Sequence, residues 1–321
     1  MTRTLRPALL VLGLCIVALL VWRADPRIVL NMLVRVGWSF LAAAAIYSAH
    51  LCIRAAALWR SVLGGPVSYG DVLRIRLSGD ALETLTFTGP FLAEPAKGWL
   101  LTHRGLATAD AFAAVATEYL VYTVVSSSLA VIAVSLLLAQ GLLPPPVRPA
   151  ALAILAATIA FVAAFAFAAV TGIGLIVPIV RAARVLIGAR YAARAAHDLS
   201  PIEHALVTFL HSHPARLAEV FAMEITAHAL LIVEIWIVVA ALGVQLPWRD
   251  PLLVEGGVKF VAIAFAFIPG QFGASEGVYA LLFGAIGLPA AAGLTLALVR
   301  RVRALLVAAT GVVALIVIGD R

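Results

Sequence analysis

Residues 269–277 read P-G-Q-F-G-A-S-E-G, and residues 90–98 read P-F-L-A-E-P-A-K-G. Laying Pro90 on Pro269 places Gly98 on Gly277 and Lys97 on Glu276, at an offset of 179 residues. Each stretch sets charge, proline and glycine into sequence that is apolar on both sides. Proline removes an amide hydrogen and glycine weakens a helix, so an apolar helix is expected to break at both places. In hydrocarbon a broken backbone survives only where protein buries it or a wet cavity reaches it. The two stretches therefore predict two helical hairpins, 71–105 and 252–287, each entering the membrane from one side and returning to it.

The match extends outward without a gap. Leu63-Gly64 falls on Leu242-Gly243, Asp71 on Asp250 and Leu73 on Leu252. The charged positions of the second window all meet charged partners: Asp71/Asp250, Arg76/Glu255, Asp80/Lys259 and Lys97/Glu276. After a shift of three residues, Gly105-Leu106 matches Gly287-Leu288 and Glu118 falls on Arg300. Apart from the two aspartates, every pair is opposite in sign. Self-similarity of this kind marks a repeat architecture.

Composition names the solvent. The 321 residues are 64% hydrophobic and 12% charged, with a mean hydropathy of +1.09, whereas a soluble domain carries about 25% charged residues. Long runs rich in Ala, Leu and Val argue for helices rather than a barrel, whose strands would alternate apolar and polar. The net charge of +7 reads as membrane topology, because no basic run is long enough to track nucleic-acid phosphates. Cys15 and Cys52 fall in predicted spans and support neither a disulfide framework nor a metal site.

At the N-terminus, Arg3 and Arg6 precede an apolar stretch, 7–22, but W-R-A-D-P stands where a cleavage site would need small residues, so this is read as an uncleaved first helix. Further spans are expected at 36–58, 109–139, 150–180, 218–242 and 290–318. With the N-terminus in the cytoplasm, Arg60, Arg74, Arg76, Lys97 and Arg104 lie toward that side, and so does the basic stretch with Arg181, Arg184, Arg190 and Arg194. Three crossings then separate the hairpins, and the second copy is inverted relative to the first. The chain divides into an N-terminal helix and external loop (1–35), a first repeat (36–140), a linking span with a basic interfacial segment (141–215) and a second repeat (216–321). Within the linker, Ser200-Pro201-Ile202-Glu203 has the form of a capping box opening a short helix that ends near Pro214. His197, His204, His211 and His213 are read as solvated interfacial residues rather than metal ligands.

In inverted-repeat membrane proteins, broken helices of both halves meet near the midplane and build the binding site there. The candidate substrate-binding residues are accordingly Pro90, Glu94, Lys97, Arg104, Pro269, Gly273, Glu276 and Arg300. The alternative is that Glu94, Lys97 and Glu276 pair with one another or cap the hairpin tips. Opposite charges at equivalent positions suggest intramembrane ion pairs, Asp80 with Lys259 and Glu118 with Arg300. Glu224 and His228, at i and i+4 on one helix, form either an interhelical hydrogen bond or a proton relay. No G-x-x-x-x-G-K-[ST] or H-E-x-x-H motif is present, and no catalytic residue, cofactor or metal is assigned.

At the hairpins the sequence resembles the flippase-like membrane family that includes the transmembrane region of lysylphosphatidylglycerol synthases. The resemblance rests on Gly89-Pro90, Glu94-Pro95, Lys97 and Gly98 in the first motif, and on Pro269, Gly270, Gly273 and Glu276 in the second. Leu92 and Ala93 stand where the family usually has Gly-Gly. The soluble aminoacyl transferase domain of the synthases has no counterpart in these 321 residues, so synthase activity is not carried over. The resemblance implies translocation of a polar or anionic lipid, of phospholipid or hopanoid type, by a multi-pass protein of the bacterial inner membrane. A membrane-embedded enzyme modifying a lipid headgroup, and a scaffold for lipid-biosynthesis enzymes, are the alternatives. Membrane lipids are the expected partners, and nucleic acid is not.

Overall fold

With no water in hydrocarbon to satisfy its amides, a spanning chain must close its hydrogen bonds within each segment, and this one does so by helix. The computed structural model describes residues 22, 26–86, 89–143, 145–264 and 274–319. In chain order the helices are α1 (Pro26–Val36), α2 (Ser39–Ser61), α3 (Tyr69–Leu85), α4 (Pro90–Thr102), α5 (Thr108–Ala139), α6 (Arg148–Thr171), α7 (Ile176–Ala182), α8 (Arg184–Ile187), α9 (Ala189–Ser212), α10 (Pro214–Ala241), α11 (Asp250–Ala264), α12 (Ala274–Ala285) and α13 (Ala290–Gly319). Helices α2, α5, α6 and α10 are long and apolar enough to cross a membrane. The protein is an all-α, polytopic membrane protein, and the expected helix at 7–22 lies, but for Trp22, outside the described residues.

The repeat seen in sequence relates whole helices. At an offset of 179, α2, α3 and α4 fall on α10, α11 and α12; at 182, α5 falls on α13. The equivalent helices α2 and α10 pack along each other. Arg54 reaches Glu224 (3.3 Å), Arg60 donates to Glu219 (2.5 Å) and Arg216 donates to the Val62 carbonyl (3.1 Å). As numbers climb along α2 they fall along α10, so the two helices run antiparallel. The other contacts exchange between copies: α3 packs on α13, and α5 packs on α11.

Both exchanged contacts close on a glycine. Gly311 of α13 lies against the Leu77 carbonyl of α3, and Gly256 of α11 lies against the Leu129 carbonyl of α5. Leu77 and Gly256 are equivalent, as are Leu129 and Gly311, so each crossing carries one glycine, on opposite members of the pair. In lipid, helices associate through such close approach, which only small residues allow.

In the first hairpin, Ser68 caps α3, accepting from the Asp71 amide and donating to its carboxylate. That hydrogen bond, aided by Arg104 and Arg74, holds the Asp71 carboxyl below its usual range. Gly89 (φ +53°) and Pro90 open α4, a positive φ followed by proline at the first helical position. Leu100 and Leu101 of α4 pack with Val72 and Ile75 of α3, and Lys97 lies over Gly79, so these helices are antiparallel. Helix α4 has 13 residues and α12 has 12, about 20 Å each at 1.5 Å per residue, less than the roughly 30 Å of hydrocarbon.

Two expectations are corrected. The run 150–180 is not one helix, because Gly172 (φ +68°) ends α6 in a left-handed cap and α7 starts at Ile176. The Ser200-x-x-Glu203 pattern opens no helix either. Helix α9 runs through it with Pro201 inside, and the Glu203 carboxylate instead accepts from the amides of Ile176 (2.5 Å) and Val177 (3.2 Å). The free amides of α7 outcompete the local box because they have no other partner.

Candidate functional site

Charge inside an apolar helix must find its opposite, and here it gathers around two hubs. Glu118 of α5 is fully buried. Its Oε1 accepts from Arg54 (2.7 Å) and Arg76 (2.8 Å), and its Oε2 lies 4.0 Å from the Lys97 ammonium. Arg300 of α13 is the counterpart. It donates to Glu255 (2.8 Å), to the Tyr279 hydroxyl (2.5 Å) and to the Leu231 carbonyl (2.9 Å), and lies 3.0 Å from Glu234. One carboxylate holding two arginines in the first repeat thus becomes one arginine holding two carboxylates in the second.

The exchange extends to the neighbours. Arg76 lies 3.2 Å from Asp80, and at equivalent positions Glu255 lies 3.7 Å from Lys259. The expected pairs Asp80 with Lys259, Glu118 with Arg300 and Lys97 with Glu276 are therefore not formed. Equivalence under a pseudo-two-fold brings residues together only on the axis, and these positions lie off it. These charges are instead neutralised within their own repeats, Lys97 by Glu94 (2.7 Å) and Glu276 by Arg301 (2.7 Å).

Contacts across the repeats come from other residues. Arg54, stacked 3.8 Å from the Tyr122 ring of its own repeat, reaches Glu224 of the second, and Arg303, paired with Glu234, stacks 3.6 Å from the Tyr47 ring. Lys259 donates to the Tyr122 hydroxyl (3.0 Å). Between these groups is a cavity of about 440 Å³ whose lining includes Arg76, Asp80, Glu255, Lys259, Arg300 and Arg301. Lone intramembrane charges cost on the order of 3 kcal/mol on insertion scales, so paired charges lining a cavity at helix depth mark a polar site.

Among the predicted residues, Pro90, Asp80, Lys259 and Arg300 line this cavity. Glu94 and Lys97 form a buried pair behind it, reaching the Glu118 hub. Arg104 does not join; it lies 3.6 Å from Asp71 at the hairpin entrance. Pro269 and Gly273 lie outside the described residues. His228 Nδ1 bonds the backbone carbonyl of Glu224 (2.8 Å), while the Glu224 carboxylate takes Arg54, so no hydrogen bond links the two side chains as a relay. Residues 273–277 also spell G-x-S-x-G, the form of a hydrolase nucleophile elbow. Ser275 donates to Glu276 (2.9 Å) and accepts from Arg301 (3.1 Å), and neither is the histidine base of a serine triad. Sequence reasoning missed Arg54 and the three tyrosines; the signal for Arg54 was a lone arginine within the apolar run 36–58.

The model of the lysylphosphatidylglycerol synthase transmembrane region matches residues 10–311. The chain belongs to that family. The matched range includes both hairpins and both charge hubs, so the synthase transmembrane region is the architecture within which the cavity sits. As a member of this family the chain is a membrane protein linked to lipid modification or transport. No curated protein and no solved structure matches it.

Proposed function

We propose that the protein moves a polar or anionic lipid, of phospholipid or hopanoid type, across or out of the bacterial inner membrane. The observation that carries this reading is the cavity of about 440 Å³, lined by charged side chains from both repeats. A headgroup entering it meets arginine, lysine and carboxylate, while the acyl chains stay in lipid. The short helices α4 and α12 suit re-entrant hairpins, and antiparallel repeats suit alternate opening to the two faces. Transport rather than chemistry at the headgroup is the reading, with Glu94, Lys97, Glu276 and Arg300 holding the cavity walls in register.

The orientation proposed is that of a cytoplasmic N-terminus. Arg60, Arg74, Arg104, Arg216 and the basic stretch 181–194 lie toward one end of the bundle, the end where α2 finishes and α10 begins. Their excess over the opposite end supports a cytoplasmic assignment.

The test is reconstitution into liposomes with a fluorescent phospholipid in one leaflet. Wild-type protein is expected to accelerate its movement to the other leaflet, and Glu276→Gln and Arg300→Gln to abolish the acceleration. A new lipid product, with no movement between leaflets, would replace this reading by the enzyme one.

A further inference from the structure

Arginines are treated differently in two parts of this molecule. At the central cavity each has a carboxylate within 4.0 Å. Along the segment joining the repeats, Arg181, Arg184, Arg190 and Arg194 are exposed and have no ion-pair partner among the described residues. Of the acids there, Asp198 turns to His197 (3.4 Å) and Glu203 is spent on the α7 amides.

Two of these arginines border a second cavity, of about 600 Å³, lined by Arg181, Arg184, His197 and Ser200 over a floor of small residues. The floor comes from the spacing Ala189, Ala192, Ala193, Ala196 along α9, which keeps bulk away from one helix face. No carboxylate lines it. Beside it, Ile179 (65%), Val185 (86%) and Leu186 (88%) are exposed, although the C-terminal half of α9 is anchored by Leu206, Phe209 and Leu210 against Ala57, Ala113 and Val220. An unpaired basic recess with an apolar rim, next to the end of a spanning helix, has the charge and the depth of a membrane surface.

We propose that this recess binds the phosphate of an anionic phospholipid in the adjoining leaflet, with Arg181 and Arg184 as the phosphate contacts and Val185 and Leu186 entering the acyl boundary. The bound lipid is held at the surface, apart from the central cavity, and the proposal does not depend on transport.

Native mass spectrometry of the full-length protein in detergent, with phosphatidylglycerol or phosphatidylcholine added at equal concentration, tests it. Wild type is expected to retain phosphatidylglycerol preferentially. Each basic contact near a membrane surface contributes about 1 kcal/mol, so R181Q/R184Q should bind it about thirtyfold more weakly. Ala193→Trp, which fills the recess without removing charge, should do the same and covers a double variant that folds poorly. Wild-type retention in these variants would overturn the proposal. Displacement by equimolar inorganic phosphate would assign the recess to free phosphate and overturn the lipid.

Discussion

Arg76 and Glu118 meet at 2.8 Å, and the residues at their equivalent positions, Glu255 and Arg300, meet at the same 2.8 Å with the charges exchanged. Each repeat therefore keeps the geometry of the pair and reverses its sign. Removing one member of a buried ion pair costs about 3–5 kcal/mol, because its partner is left desolvated and alone. Glu118→Gln takes the shared carboxylate from Arg54 and Arg76, leaving them Glu224 and Asp80, and Arg300→Gln takes the shared cation from Glu234 and Glu255, leaving them Arg303 and Lys259. Both variants are expected to lose stability to a similar extent in thermal unfolding followed in detergent, whereas Asp80→Asn, at the edge of the network, should lose much less. A wild-type transition in Glu118→Gln would show that the hub is not structural.

Close approach at the two glycine crossings makes a second expectation. Overpacking a tight contact costs about 1–3 kcal/mol. Gly256→Leu and Gly311→Leu should each lower the unfolding midpoint, by comparable amounts, since each forces a side chain into the facing backbone. Tolerance of leucine at either position would separate the two crossings that the fold makes equivalent.

Gly79 and Lys97 are coupled by space. A Cβ on residue 79 would come within 2.7 Å of the Lys97 Cγ, so Gly79→Ala must move the lysine off Glu94. In a double-mutant cycle, Gly79→Ala and Lys97→Met are expected to be non-additive by about 0.5–3 kcal/mol, since the first already spoils what the second removes. Strict additivity would mean that Lys97 gives way without losing its partner.

Glu203 is expected to control the junction after α6. Loss of a carboxylate cap costs about 1 kcal/mol, and Glu203→Ala leaves the Ile176 and Val177 amides unanswered. Limited proteolysis should then cut between residues 171 and 177 faster than in wild type, with Glu203→Asp intermediate.

Side-specific labelling checks the orientation. In a background with Cys15→Ser and Cys52→Ser, single cysteines at Ser200 and Gln245 should react from opposite sides of sealed vesicles. Labelling of both from one side would defeat the inverted arrangement.

The break before α4 was legible because proline and glycine break a helix in any surroundings, so Pro90 and Gly89 announce the start of α4 by local chemistry alone. The repeat was legible because its offset is constant over the first three helices and shifts by three at the fourth. The partners of the charges were not. Matching Glu118 to Arg300 identifies equivalent places, and distance between equivalent places depends on where the axis runs, which a linear sequence does not carry. Glu203 shows the same limit at smaller scale: its local pattern is correct for a cap, but the amides it caps belong to a helix 26 residues earlier. Nothing in the sequence neighbourhood of Glu203 points to Val177.

The sign reversal between repeats also bears on how the protein is made. In the first half Arg54, Arg76 and Lys97 pair with Asp80, Glu94 and Glu118; in the second Lys259, Arg300, Arg301 and Arg303 pair with Glu234, Glu255 and Glu276. Of the hub carboxylates, Glu224 draws its cation, Arg54, from the other half. Synthesis delivers the N-terminal half to the membrane first, and its hub can close on its own charges before any of the second half has left the ribosome. Two halves that neutralised only each other would have to wait in lipid with their charges bare, so the reversal lets insertion proceed one half at a time.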